Sequence, residues 1–303
     1  MINVLITGIT GFLGSHIAEH LCNNNINVIG LKRKKSDTWR CKDFETKIKW
    51  VDLDLNGDWR NILVKLKPDT IIHSAWIGVE ADYRNDWERQ NENISFLIAL
   101  LSISKDVKLK KFIFLGSQAE YGTFNGKVTE EKLVKANNAY ASIKLACFEI
   151  LRTFSEINKI DWIWLRIFSL FGEREGYNWL IPSIINKMQR DSSMDFTLGE
   201  QSYAYLYVKD FAKIIYLTLI KQLDSGIYNV SATMSIQLKV LIELIRDQVN
   251  PKFKLNFGVL PYREHQSMHI EGDTTKLFNR IGPIEFTDFN VALLNTINYY
   301  RTN

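Results

Sequence analysis

The stretch Thr7-Gly8-Ile9-Thr10-Gly11-Phe12-Leu13-Gly14 constrains this chain more than any other. It follows the apolar run Asn3–Thr7 and opens Phe12–Asn24, a segment with helical periodicity. Three glycines at that spacing, between a strand and a helix, each answer a steric demand. Gly8 permits a tight turn, Gly11 lets backbone approach a bound diphosphate, and Gly14 allows the helix to lie close on the strand. The helix start then offers unpaired N–H groups and the positive end of its dipole, which together attract phosphate. Gly8, Thr10, Gly11, Phe12, Leu13 and Gly14 are therefore the candidate cradle for the diphosphate of a dinucleotide.

The rest of the first half alternates short β-rich runs with helical patterns, as a parallel α/β sheet requires. Strands are predicted at Asn3–Thr7, Asn27–Leu31, Ile48–Leu53, Thr70–Ser74, Lys111–Gly116 and Asp161–Phe168. Runs such as Phe112-Ile113-Phe114-Leu115 suit a strand covered on both faces. Helices are predicted at Phe12–Asn24, Asp58–Leu66, Tyr83–Ser104 and Asn137–Asn158, giving a Rossmann-type, doubly wound parallel sheet. After Gly172 the alternation lapses. Helices near Trp179–Gln189, Val208–Leu223, Ser235–Gln248 and Asn290–Tyr300 are mixed with short strands. The expected organisation is a dinucleotide-binding domain over residues 1–170. A smaller α/β substrate lobe over 171–303 follows, part of it returning to the first domain.

Composition narrows the class further. The chain has 303 residues, 46% hydrophobic and 24% charged, as an ordinary globular protein does. The net charge of +4 has one dense run, Lys32-Arg33-Lys34-Lys35, too short to argue for nucleic acid but compatible with a polyanionic small ligand. Cys22, Cys41 and Cys147 are odd in number and widely spaced, which argues against a disulfide framework and for a reducing compartment. The N-terminus has no basic leader and no apolar stretch approaches the ~20 residues of a membrane span, so a cytoplasmic location is expected. His16, His20, His73, His265 and His269 show no ligand spacing with acids or cysteines, so no metal is expected.

The end of the second strand reports on the adenosine ribose. An acid there binds a 2′-hydroxyl, whereas a basic side chain accommodates a 2′-phosphate. Here Leu31 is followed by Lys32 and Arg33. A guanidinium grips a phosphate bidentately, which favours NADP(H) and leaves NAD(H) possible; a solvated surface turn would read the same way. Asp52, with Leu53, ends the third strand and is a candidate for the adenine amino group or an ordinary strand-end acid.

Tyr140 and Lys144 stand four residues apart on a predicted helix, hence on one face. A free tyrosine has a pKa near ~10, too high for easy proton exchange at neutral pH. A neighbouring ammonium and an oxidised nicotinamide would each lower it. Ser117 follows the fifth strand at its carboxyl end, where it can hydrogen-bond a substrate oxygen. A tyrosine and lysine at this spacing also occur simply as core and snorkelling residues.

With these residues in place, the chain resembles the NAD-dependent epimerase/dehydratase family, the nucleotide-sugar branch of the extended short-chain dehydrogenase/reductases. The resemblance is carried by the glycine turn, His73-Ser74-Ala75, Asn93, Ser117-Gln118-Ala119-Glu120-Tyr121-Gly122 and Tyr140/Lys144. Further along, Arg166-Ile167-Phe168-Ser169-Leu170-Phe171-Gly172 and Tyr207-Val208-Lys209-Asp210 continue it in family order. It implies that Tyr140 is the acid/base, that Ser117 orients the sugar oxygen and that Lys144 binds the nicotinamide ribose and tunes Tyr140. It also implies that Asn93 supports the active-site helix, that Ser74, Ala75 and Asn93 contact cofactor, and that Trp76, Ser117, Gln118 and Arg263 contact substrate. The helices Tyr83–Ser104 and Asn137–Asn158 resemble the pair that forms a four-helix dimer interface, so a homodimer is expected, although their apolar faces would also suit packing within one chain.

Three departures bear on the reaction. Dehydratases of the family place an acidic pair after the catalytic serine or threonine, whereas this chain has Gln118 and Ala119, with Glu120 one place late. A second family arginine is replaced by Tyr203, and the usual asparagine of the Arg-x-x-Asn segment is Ser169. Dehydration is thereby disfavoured. An NADPH-dependent reductase of a nucleoside-diphosphate 4-keto-6-deoxyhexose is expected first and an NAD-dependent 4-epimerase second. A dinucleotide-binding sensor without catalysis is the third reading, against which an intact Ser117, Tyr140 and Lys144 stands.

Overall fold

A computed structural model describes residues 2–54, 58–264 and 266–302. Seven parallel strands form the central sheet: β1 Asn3–Thr7, β2 Asn27–Arg33, β3 Ile48–Leu53, β4 Thr70–His73, β5 Lys111–Leu115, β6 Asp161–Ile167 and β7 Gly226–Val230. Their spatial order is β7-β6-β5-β4-β1-β2-β3. The order of strand addition therefore reverses between β1 and β4, and the crevice at their carboxyl ends is where an open sheet of this kind receives a ligand.

The apolar runs are explained by two cores. Along β1, Val4 and Ile6 enter one core with Ile17, Leu21 and Phe211, while Leu5 between them enters the other with Ile71, Leu97, Phe112 and Leu151. The first is capped by α1 (Phe12–Asn23) and α6 (Val208–Ile220), the second by α3 (Trp87–Val107) and α4 (Ala139–Asn158). Neither strand face meets water, so alternation with polar residues is absent.

The C-terminal part divides its allegiance. Helix α6 and strand β7 complete the main sheet, whereas α5 (Leu180–Arg190), α7 (Leu238–Val249) and α9 (Phe289–Thr302) share a third core. A four-stranded sheet joins Ile236–Gln237, Ser202–Tyr203 and His269–Gly272 to Gly126–Val128 from the first half of the chain. Two short helices, α2 (Trp59–Leu66) and α8 (Thr275–Ile281), complete those among the described residues.

Several boundaries differ from expectation for local reasons. Helix α3 starts at Trp87 rather than Tyr83 because Asp86 caps it, its carboxylate accepting the Arg89 N–H at 3.0 Å. Ala81–Tyr83 forms a separate 3-10 turn. Helix α7 begins at Leu238 rather than Ser235, because Ile236–Gln237 pairs with Ser202–Tyr203. A 3-10 segment, Trp39–Lys47, fills the β2–β3 connection where no element was predicted. No helix of the described residues is long and apolar enough to cross a membrane.

Candidate active site

The glycine turn meets the steric demands read from its sequence. Gly8 has φ +65°, and a Cβ there would stand 2.6 Å from the Ala75 nitrogen. A Cβ on Gly14 would stand 2.2 Å from the Gly8 carbonyl oxygen. Gly11 caps α1 without a side chain, leaving the N–H groups of its first turn to an external acceptor. Thr7 ties the ends of β1 and β4 together: its Oγ1 accepts the Ala75 N–H at 3.2 Å and bonds His73 Nδ1 at 2.8 Å. Burial, helped by nearby Lys144, lowers His73 to about 3, so this histidine is a neutral structural link. A backbone cradle that any side chain would fill, set at a helix N-terminus, fits the diphosphate of a dinucleotide.

At the adenosine end the structure corrects the expected division of labour. Lys32 and Asp52 are register partners on β2 and β3, and their side chains form an ion pair at 2.6 Å. The cation expected for a 2′-phosphate and the acid expected for adenine thus neutralise each other. Arg33, opposite Leu53, remains exposed.

Below the glycine turn lies a brace that sequence reasoning missed. Arg40 donates from Nε to the Arg174 carbonyl at 2.8 Å and from its terminal nitrogen to the Thr10 carbonyl at 3.4 Å. Arg174 in turn reaches His16 Nδ1 at 2.8 Å and pairs with Glu19. His16 bonds the Glu173 carbonyl at 2.8 Å through its other nitrogen, and burial lowers it to about 3. It is a buried strut. Apart from Arg40 and Thr10, the partners lie more than a hundred residues apart, so no local pattern marks them.

Tyr140 and Lys144 share the inner face of α4, and both are buried. The Lys144 ammonium donates to the Leu115 carbonyl at 2.8 Å and lies 3.7 Å over the Trp76 ring. Burial lowers Lys144 to about 7. Burial also pushes the Tyr140 phenol up, opposed by a hydrogen bond with Ser117 and by the charge of Arg84. Lys144, expected to tune Tyr140, is one of two cations near its ring. Lys144 is 5.7 Å from the Tyr140 ring and turned to a backbone carbonyl, while the Arg84 guanidinium is 5.0 Å from that ring. Arg84 carried no sequence signal.

Ser117 caps the short turn Gln118–Tyr121, its Oγ accepting the Ala119 N–H at 3.2 Å. Its own N–H donates to Glu120 Oε1 at 2.7 Å. The Glu120 carboxylate also accepts from Trp164 Nε1 at 3.0 Å and Arg166 Nε at 2.8 Å, fully buried. Glu120 thus points into the core and holds the serine turn in place. A visible clue was Arg166 in an otherwise apolar strand, since a buried charge needs a partner.

Asn93 does not reach α4. Its Oδ1 accepts the Ile77 N–H at 2.8 Å and its Nδ2 donates to the Ile77 carbonyl at 3.1 Å, clamping the loop after Ser74 and Ala75. Gln90 pins Trp76 from the same helix, its Oε1 accepting the indole N–H at 2.9 Å. Trp76 stands edge-on to Tyr140, at 5.7 Å between ring centres. Gln118 is half-buried beside Ser117, and Arg263 is exposed. Arg263 faces Tyr203, whose hydroxyl donates to the Ser267 carbonyl at 3.0 Å. His269 contacts Ser235 and Glu271, whereas His265 lies outside the described residues. Among the described residues no cluster of three or more histidine, cysteine or acidic side chains could hold a metal.

The fold and this constellation define a nucleotide-sugar enzyme of the extended short-chain dehydrogenase/reductase type. A profile of the NAD dependent epimerase/dehydratase family matches residues 4–231, and the chain belongs to that family. It is 26% identical over 287 residues to CDP-abequose synthase of Salmonella muenchen, covering 92% of this chain and 91% of that one. It is 21% identical over 273 residues to dTDP-6-deoxy-L-talose 4-dehydrogenase (NAD(+)) of Aggregatibacter actinomycetemcomitans, covering 89% and 99%. Among solved structures it is similar to the UDP-N-acetylglucosamine 4-epimerase of Methanobrevibacter ruminantium M1 in complex with UDP-N-acetylmuramic acid. That match has 27% identity and a TM-score of 0.89, covering 99% of this chain and 98% of that one.

Proposed function

We propose that the chain reduces the C4 keto group of a nucleoside-diphosphate 4-keto-6-deoxyhexose, NADPH supplying the hydride when bound. The observation that carries this reading is an intact Ser117, Tyr140 and Lys144 beside Gln118 and Ala119. Tyr140 gives its phenolic proton to the sugar oxygen as that oxygen gains charge. Ser117 holds the same oxygen with a hydrogen bond that strengthens as the charge develops. Lys144 anchors the floor of the site between the Leu115 carbonyl and the Trp76 ring, and holds a ribose hydroxyl of the cofactor. Dehydration needs a carboxyl group beside Ser117, and Glu120 is committed to Arg166 in the core. The name of the dTDP-6-deoxy-L-talose 4-dehydrogenase (NAD(+)), which places redox chemistry at C4 of a 6-deoxy sugar, supports the reaction, though with the other cofactor. Exposed Arg33, available to a 2′-phosphate, supports the reading too.

A second reading, NAD-dependent 4-epimerisation, is favoured by the Lys32–Asp52 pair, which leaves one cation fewer for that phosphate. The similarity to a 4-epimerase supports it too. In either case we propose a homodimer through α3 and α4, whose outer surfaces expose Ile98 and Ile157.

The test is a panel of thymidine-, CDP-, UDP- and GDP-linked 4-keto-6-deoxy sugars mixed with pure enzyme and NADPH, followed by cofactor absorbance. Consumption with one of them is expected. No consumption, together with NAD that co-purifies and sugars that interconvert without added cofactor, would replace the reductase with the epimerase.

A further inference from the structure

We propose that Arg84 is a positioning residue for proton transfer by Tyr140: its guanidinium, laid over the phenol ring, is the positive charge that favours the phenolate. The inference rests on the reading of Tyr140 as proton donor.

Charged and polar groups approach that ring from three elements, while a fourth carries His73, packed against Phe114. Lys144, one turn along α4, is 5.7 Å away and engages the Leu115 carbonyl at 2.8 Å. Ser117, after β5, favours ionisation of the phenol, and Glu120 behind it opposes ionisation while held by Arg166. His73, at the end of β4, is buried and neutral. Arg84 comes from the segment before α3, with its guanidinium carbon 5.0 Å from the ring centre.

Besides its own N–H, which donates to the Ala81 carbonyl at 3.3 Å, two bonds hold Arg84 there. Its Nε donates to the Val79 carbonyl at 3.2 Å, and its own carbonyl accepts the Tyr140 N–H at 2.9 Å. The backbone bond ties the segment to the start of α4, and the side-chain bond fixes the guanidinium over the ring. Among the described residues no carboxylate forms an ion pair with Arg84, so its charge is not cancelled locally. The pull of a cation on an aromatic face grows when the ring becomes an anion. Arg84 therefore stabilises the phenolate more than the phenol.

The chain has 12 tyrosines, so phenolate absorbance is measured against pH as the difference from Tyr140→Phe in each background. The protein is titrated alone and saturated with dinucleotide. Arg84→Met removes the charge, keeps the apolar stem and leaves the backbone bond intact. It is expected to move the Tyr140 limb to higher pH by roughly one unit, with Arg84→Lys restoring most of the shift. With an active sugar in hand, the alkaline limb of kcat moves by the same amount while KM stays nearly constant. An unmoved limb overturns the inference. So does a large rise in KM without a limb shift, which would make Arg84 a substrate contact. If Arg84→Met fails to fold, Arg84→Gln against Arg84→Lys carries the same comparison. A shifted limb in a protein that reduces no sugar would sink the reductase and leave Arg84 in its role.

Discussion

Replacing Glu120 by glutamine tests how Ser117, the proposed catalytic serine, is held. Glutamine keeps an oxygen for the Ser117 N–H and nearly the same volume, yet leaves Arg166 charged and uncompensated. In the native pair the Arg166 and Glu120 side chains are only 3% and 0% exposed, and Nε–Oε2 is 2.8 Å. Removing one member of so buried a pair costs about 3–5 kcal/mol. At roughly 2.1 cal/mol/K of unfolding entropy per residue, 303 residues give about 0.6 kcal/mol/K, hence a fall in Tm of about 5–8 °C by calorimetry. Turnover should also fall, roughly 10- to 100-fold, because the loosened turn carries Ser117 away from the reacting oxygen. The paired substitution Glu120→Met with Arg166→Met removes both charges and should melt above either single variant. A Glu120→Gln protein melting within about 1 °C of the parent would refute the reasoning, as would a double variant less stable than both singles.

Gly14→Ala drives a Cβ to 2.2 Å from the Gly8 carbonyl, so dinucleotide affinity by calorimetric titration should drop at least roughly 100-fold. Buried Glu175 is pushed up to about 8 by burial, from an unfolded value of 4.5. Between those values the folded chain keeps a proton that the unfolded chain has released, so the native state loses stability as pH rises. Glu175→Gln should therefore match the parent near pH 4 and exceed it by about 3 kcal/mol at pH 7 in denaturant titrations. Arg33→Glu should weaken NADPH at least roughly tenfold more than NADH, and equal losses would remove Arg33 from the 2′-phosphate site.

The parts of this molecule legible from sequence are those whose physics is local. A strand, a glycine turn and a helix lie within the first two dozen residues, and the positive φ of Gly8 and the contact at Gly14 follow from that order. The face shared by Tyr140 and Lys144 follows from helical spacing. What could not be read depends on distant partners. Lys32 and Asp52 looked like two independent ligands until the register of β2 and β3 set them side by side. Glu120 looked like a misplaced acid because its partner is 46 residues away. The hydrogen bonds of Asn93 to Ile77 carry no sequence signal, since they depend on the turn after β4 folding back onto α3. Arg84 has no pattern at all, and only the approach of its segment to α4 reveals it.

The most direct measurement is the fate of deuterium placed at both hydrogen positions of nicotinamide C4 of NADPH. The reduced sugar should carry one deuterium at C4 by mass spectrometry and NMR, and Tyr140→Phe should suppress its transfer by roughly two or more orders of magnitude. A reduced sugar without label at C4, label released to solvent, or label at any other sugar carbon would contradict hydride delivery to a keto carbon facing Ser117 and Tyr140.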